Sequence, residues 1–183
     1  MFALNSIKRA RTTIIEKTAS PELFAHSPAL ALFRDFRDLP PACFSGSTHL
    51  EVAAEQVIQS PYDFGLVVNS QHEILGCILE SVLLLENRMS LQQAGFDLAL
   101  MDARQLMKPL SALLAIELSA FSQLSVRKLA KLMLQKQLQE LVIMDSASDE
   151  MRSIITLTQM RKLTHLALHQ PTPVSQLVGI LKH

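Results

Sequence analysis

Several features that would narrow the function at once are scarce in this sequence. Its five glycines are scattered, so no glycine-rich loop is available to cradle a phosphate. Two cysteines, Cys43 and Cys77, cannot make a disulfide framework. Each lies in an apolar strand-like run, and both are expected as buried, reduced thiols. Aromatic residues are 5% of the chain and show no sustained interleaving with basic ones, which disfavours single-stranded nucleic acid. Seventeen basic and seventeen acidic side chains cancel, so the basic footprint of a nucleic-acid binder is missing. There is no Gly-x-Ser-x-Gly elbow and no cysteine–histidine signature. The longest stretch without charge, Leu163 to Leu181, is broken by His165, His169, Pro171 and Pro173 and is too polar to span a bilayer. Lys8, Arg9 and Arg11 are followed by no apolar block of the kind a signal peptide carries. A cytoplasmic protein with neither nucleic-acid nor membrane partner is the expectation.

What is present is apolar. Hydrophobic residues are 49% of 183, and mean hydropathy is +0.23. Such a chain folds rather than staying disordered, and its length suits one domain or two small halves. A neutral surface opposes self-association only weakly.

The chain also repeats itself at a shift of about 76 residues. Leu50 to Gln59 falls on Val126 to Gln135, Leu66 to Asn69 on Val142 to Asp145, and, after one gap, Gly76 to Leu79 on Ser153 to Thr156. Each copy reads as strand, helix, strand, strand, helix. The first strands are Ala42 to Phe44 and Leu113 to Leu118. Thr48-His-Leu-Glu51 has the form of a capping box, and Ser125 is the expected N-cap of the second copy. Apolar strands Phe64 to Val68 and Leu141 to Met144 lead through short polar turns to Ile74 to Leu79 and Arg152 to Leu157, each an antiparallel pair. Closing helices run from about Ser81 to Met89 and from Thr158 to His169. Pro40-Pro41 and Pro109 are expected to turn the chain into each first strand.

These residues resemble a tandem cystathionine-beta-synthase (CBS) domain pair, or Bateman module. The likeness rests on Leu106-Met-Lys-Pro109, the capped helices, the strand ends Val67-Val68-Asn69 and Ile143-Met144-Asp145, and the segments Gly76-Cys-Ile-Leu79 and Ser153-Ile-Ile-Thr156. It implies an α+β fold in which two βαββα units pack through their sheets as a pseudo-twofold pair. The expected division is an N-terminal helical extension at 1–32, a first unit at 33–90, a linker at 91–110, a second unit at 111–170 and a tail at 171–183. In the extension, Phe2, Ile7, Ile14 and Ile15 share a helix face.

The resemblance further implies an adenosine-containing ligand, such as AMP, ATP or S-adenosylmethionine, in a cleft between the units. In the family a Ser or Thr hydroxyl donates to phosphate and an Asp three residues on accepts from the ribose. The first unit has Leu79 and Val82 at these places, which read as packing residues. The second keeps Thr156, with Ser153 for the family Gly, Thr158 at the often cationic place and Gln159 for the Asp. Thr156, Thr158, Gln159, Ser153 and, in the loop after the second unit's first strand, Ser122 are therefore the candidate ligand residues. Arg161 and Lys162 adjoin them. His165 and His169 share helical spacing, but no third ligand adjoins them, so no metal is expected. The leading expectation is a stand-alone regulatory module, not an enzyme, acting on a separate and unknown protein. The alternative is a degenerate pair used for dimerisation or docking without nucleotide. A homodimer is expected because Leu83, Leu84 and Leu85, like Leu163, Leu166 and Leu168, cannot all face one core.

Overall fold

A computed structural model describes residues 23–164, without the side chains of residues 85–87. The expected N-terminal helix face, the pair His165 and His169, the end of the closing helix with Leu166 and Leu168, and the tail 171–183 lie outside the described residues.

The first unit comprises β1 (Ala42–Ser45), α1 (Leu50–Gln59), β2 (Phe64–Val68), β3 (Ile74–Leu79), α2 (Glu80–Leu83) and α3 (Leu85–Gln93). A connecting segment holds α4 (Ala103–Leu106) and β4 (Lys108–Pro109). The second unit comprises β5 (Ala115–Glu117), α5 (Leu118–Ser122), α6 (Val126–Gln135), β6 (Glu140–Asp145), β7 (Glu150–Thr156) and α7 (Leu157–Thr164). One sheet has the order β1-β2-β3-β4 and the other β5-β6-β7. In both, the strand before the long helix runs parallel to its neighbour and the hairpin strands run antiparallel. This is the expected α+β pair of βαββα units.

Periodicity decides where the cores form. In α1, Leu50, Ala53, Ala54 and Val57 are buried; in α6, Val126, Leu129, Ala130 and Met133 are. Each helix lays this stripe on its own sheet. The strand faces turned away from the helices meet each other. Tyr62, Phe64, Leu66 and Cys77 of the first unit pack there against Val142 and Ile154 of the second. That inter-sheet core is what makes two small halves one body.

The segments leading into the units are exchanged. The chain before the second unit docks on the first: Leu50 N donates to Met101 O (3.1 Å), and Ala103 N to Thr48 O (2.8 Å). The chain before the first unit docks on the second in the same way, with Val126 N to Ser27 O (2.8 Å) and Ala29 N to Leu124 O (2.8 Å). Leu98, Met101, Ala103 and Leu106 thereby complete the first unit's core, while Ala29 and Leu32 complete the second's. Residues 23–32, expected within a helical extension, contain a 3-10 turn at Ala29–Leu32 rather than a long helix.

Pro109 does not simply precede the second unit's first strand. Together with Lys108 it forms an edge strand on β3, opposite Gly76 and Cys77. A Cβ at Gly76 would lie 2.2 Å from Lys108 O, so only glycine permits that crossing. Other corrections are local. The N-cap of α1 is His49, whose Nδ1 accepts from Glu51 N (3.4 Å), and Glu51 pairs with Arg88 instead of closing a box on Thr48. The capping box belongs to Asp102 and Gln105 at α4. The first closing helix breaks at Leu84, whose ψ of 146° is extended. Strand β5 is shorter than expected because its last residue, Glu117, directly precedes α5. Cys77 is buried as expected, but Cys43 is exposed, because it lies on the outward face of an edge strand.

Candidate functional site

The corner at which β7 passes into α7 holds the polar residues that the repeat singles out. Thr156 is buried, and its Oγ1 accepts from Gln159 N (2.9 Å), satisfying an amide of the helix's first turn. The same hydroxyl donates to Asp63 Oδ2 (2.5 Å), which comes from the other unit, immediately before β2. Burial pushes the Asp63 carboxyl above the usual carboxylate range, and the Thr156 hydrogen bond only partly offsets this. Asp63 O also accepts from Glu80 N (2.7 Å), so the start of α2 is tied to this residue.

A cleft of about 210 Å³ opens beside this corner, lined by Arg34, Tyr62, Asp63, Glu80, Gln159 and Lys162, with Val57, Ile58 and Leu163 as apolar walls. Each polar lining group is held. Arg34 donates to Pro61 O (2.9 Å) and lies 5.9 Å above the Tyr62 ring. Gln159 Nε2 donates to Leu32 O (3.1 Å), and Lys162 reaches Glu80 at 3.5 Å. Two cations, two carboxyl groups, an amide and an aromatic ring therefore converge from both units.

Of the residues singled out by sequence, Gln159 lines the cleft, as does Lys162, whereas Arg161 does not. Thr156 lies behind it with its hydroxyl committed to Asp63 and Gln159. Thr158 is half-buried and does not line the cleft, and the helix-start role expected of it is taken by Thr156. Ser153 is buried in the sheet, and among the described residues its Oγ has no hydrogen-bond partner. Ser122 lies elsewhere, at the end of α5, where its hydroxyl donates to Ser119 O (2.7 Å). In the first unit, Leu79 packs in the inter-sheet core and Val82 against the first unit's core, as their side chains suggest. Sequence reasoning missed Arg34, Tyr62, Asp63 and Glu80. They precede or follow apolar elements with no motif of their own, and only the packing of the units brings them to Gln159.

The same place in the other half is a closed ion pair. Glu140, 2% exposed at its side chain, accepts from Lys108 Nζ at 2.5 Å. Among the described residues no cluster of three His, Cys, Asp or Glu is placed to hold a metal. No described helix is long and apolar enough to cross a membrane.

No family model matches the sequence, and no curated protein matches it. Solved structures do. An uncharacterized conserved protein from Pyrococcus horikoshii superposes with a TM-score of 0.55 at 11% identity, over 81% of this chain and all of that one. A CBS-domain containing protein from Agrobacterium tumefaciens gives 0.53 at 11% identity, over 75% of this chain and 93% of that one. The CBS-pair protein CBSX2 from Arabidopsis thaliana gives 0.48 at 16% identity, over 74% and 92%. The likeness is one of fold: the chain folds as a tandem pair of CBS units.

Proposed function

We propose that the protein is a regulatory binding module, not an enzyme, that takes an adenosine-containing ligand in the cleft beside Gln159. The carrying observation is the composition of that cleft. Tyr62 and the apolar walls suit a purine. Asp63 and Glu80 offer acceptors to ribose hydroxyls, and Arg34 and Lys162 offer charge to phosphate. The carboxylate missing at position 159 is thus offered from the other unit. A ligand there touches both units and biases their arrangement, which is how such a module passes a signal to a separate protein. Its two cysteines are unpaired thiols, which fits the cytoplasm.

A thermal-shift screen with AMP, ADP, ATP, NAD and S-adenosylmethionine tests the proposal. A ligand at a hundred times its dissociation constant adds about 2.7 kcal/mol of stability. The double variant Gln159→Ala, Lys162→Ala is expected to remove most of the shift. No shift with any of the five at millimolar concentration sinks the ligand reading.

One observation favours the second reading, a docking module without nucleotide: the Thr156 hydroxyl is already committed inside the protein. Silence in the screen, together with self-association, supports that reading. A homodimer is proposed under both. Ile58 on α1 and Leu84 at the break between α2 and α3 are 68% and 51% exposed, and Val52 and Met89 are exposed as well. Light scattering at micromolar concentration is expected to give twice the chain mass, and a monomer contradicts the proposal.

A further inference from the structure

The two symmetry-related spaces at the ends of the inter-sheet core are filled unequally. At one, Phe36 stands edge-on to Tyr62, with ring centroids 5.8 Å apart, and 6.1 Å from Phe64. Its backbone N–H donates to Arg152 O of β7 (2.9 Å), which seats the ring over the sheet. In the other half Leu110, just after the edge strand β4, occupies the corresponding place and is 42% exposed. Beside Leu110 lies a cavity of about 750 Å³ lined by Ile74, Leu110, Leu113, Val142, Met144 and Met151. That volume falls within the roughly 300–1,000 Å³ of small-molecule sites. It is a different space from the cleft beside Gln159, with which it shares no lining residue.

The mouth of the cavity has its own chemistry. His72, Glu73 and Asp149 line it, and among the described residues neither lysine nor arginine does. His72 and Asp149 sit at the tips of the two hairpins with φ of 63° and 53°, in the left-handed region where glycine is the usual residue. Both residues line the one mouth. Asn69 Nδ2 donates to Glu73 Oε2 (2.7 Å) and holds that carboxylate at the rim. Methionines in the floor adapt to flat or irregular apolar shapes.

We propose that this cavity binds a small amphipathic cation, with an aromatic or branched apolar body against Met144 and Met151 and an amine donating to Asp149 and Glu73. An anionic nucleotide meets only acceptors and a histidine at this mouth, so the two clefts take ligands of opposite charge.

The test is methyl NMR on the full chain with 13C-methyl methionine, using phenethylamine as the probe and hydrocinnamate as its anionic counterpart. The Met144 and Met151 methyl signals move with phenethylamine at millimolar concentration, and hydrocinnamate binds roughly tenfold more weakly or worse, as loss of one charge-assisted contact implies. Leu110→Phe fills the cavity as Phe36 fills its mate and removes the response. Asp149→Asn, whose side chain tolerates the left-handed turn, weakens binding by roughly the same tenfold. Unmoved methyl signals, a response unchanged in Leu110→Phe, or equal binding of the two probes overturns the proposal.

Discussion

Asp63 is pulled in two directions. The Thr156 hydroxyl and nearby Lys162 favour its charged form, but burial favours the neutral one and prevails. A carboxyl raised in the folded state holds its proton over a pH window in which the unfolded chain has already lost it. Stability therefore falls as pH rises from the ordinary carboxylate range to the raised value, and stays lower above it. Asp35 has the opposite sign. Its ion pair with Arg152 holds it below its ordinary range, so its contribution is present above that range and is lost as pH falls through the lowered value. Asp63→Asn is expected to remove the first slope and leave the second, as read from urea unfolding across pH. A variant with the wild-type profile shows that Asp63 is not the group responsible. What could be read at this scale was chemical type. Leu79 and Val82 announce packing by being apolar, and Ser125 announces a cap by its place before an apolar stripe, its Oγ accepting from Lys128 N at 3.4 Å. Asp63 announces nothing, because its partner Thr156 is 93 residues away.

At the scale of elements, strand pairing explains why the two copies diverge at one position. Gly76 and Ser153 are equivalent, yet only Gly76 lies under a crossing edge strand, where β4 leaves no room for a Cβ. Gly76→Ala is expected to cost about 3 kcal/mol or more, since the nearest atom is backbone and cannot move aside. Ser153→Ala, by contrast, removes a buried hydroxyl with no partner among the described residues and is expected to be neutral or mildly stabilising. Denaturant midpoints of the two variants measure the difference, and equal effects contradict this account of the edge strand. Helices are legible because period 3.6 is written in side-chain type, and hairpins because two continuous apolar runs flank a short polar turn. The edge strand and the break at Leu84 are not. Two residues are too few to carry a period, and no proline or glycine marks the break. The cap of α1 was misplaced by one residue because His49, like Thr48, offers a side-chain acceptor.

The whole molecule is an interlocked pair, since each half's core is finished by chain that belongs, in sequence order, to the other half. Leu32 precedes the first unit but is fully buried in the second unit's core. Leu32→Ala is expected to destabilise the protein by about 3 kcal/mol, and the loss should register in both units together. Cys77 provides the readout for the first. Burial pushes its thiol up to about 12, with Glu140 adding to the shift, so the folded chain shields it from alkylation at neutral pH. In a Cys43→Ser background, Cys77 labelling and loss of helical signal should share one midpoint, shifted equally by Leu32→Ala. Two separated transitions show instead that the units unfold independently. This exchange escaped the sequence because backbone hydrogen bonds such as Val126 N to Ser27 O leave no mark on residue type. It also sets an order on biosynthesis. The stretch around Leu32 and Phe33 leaves the ribosome before its seat on α6, which is not made until residues near 133 have emerged. Until then that apolar stretch has no home, so the nascent chain carries a sticky segment that a chaperone, or the matching stretch of a neighbouring chain, is placed to hold.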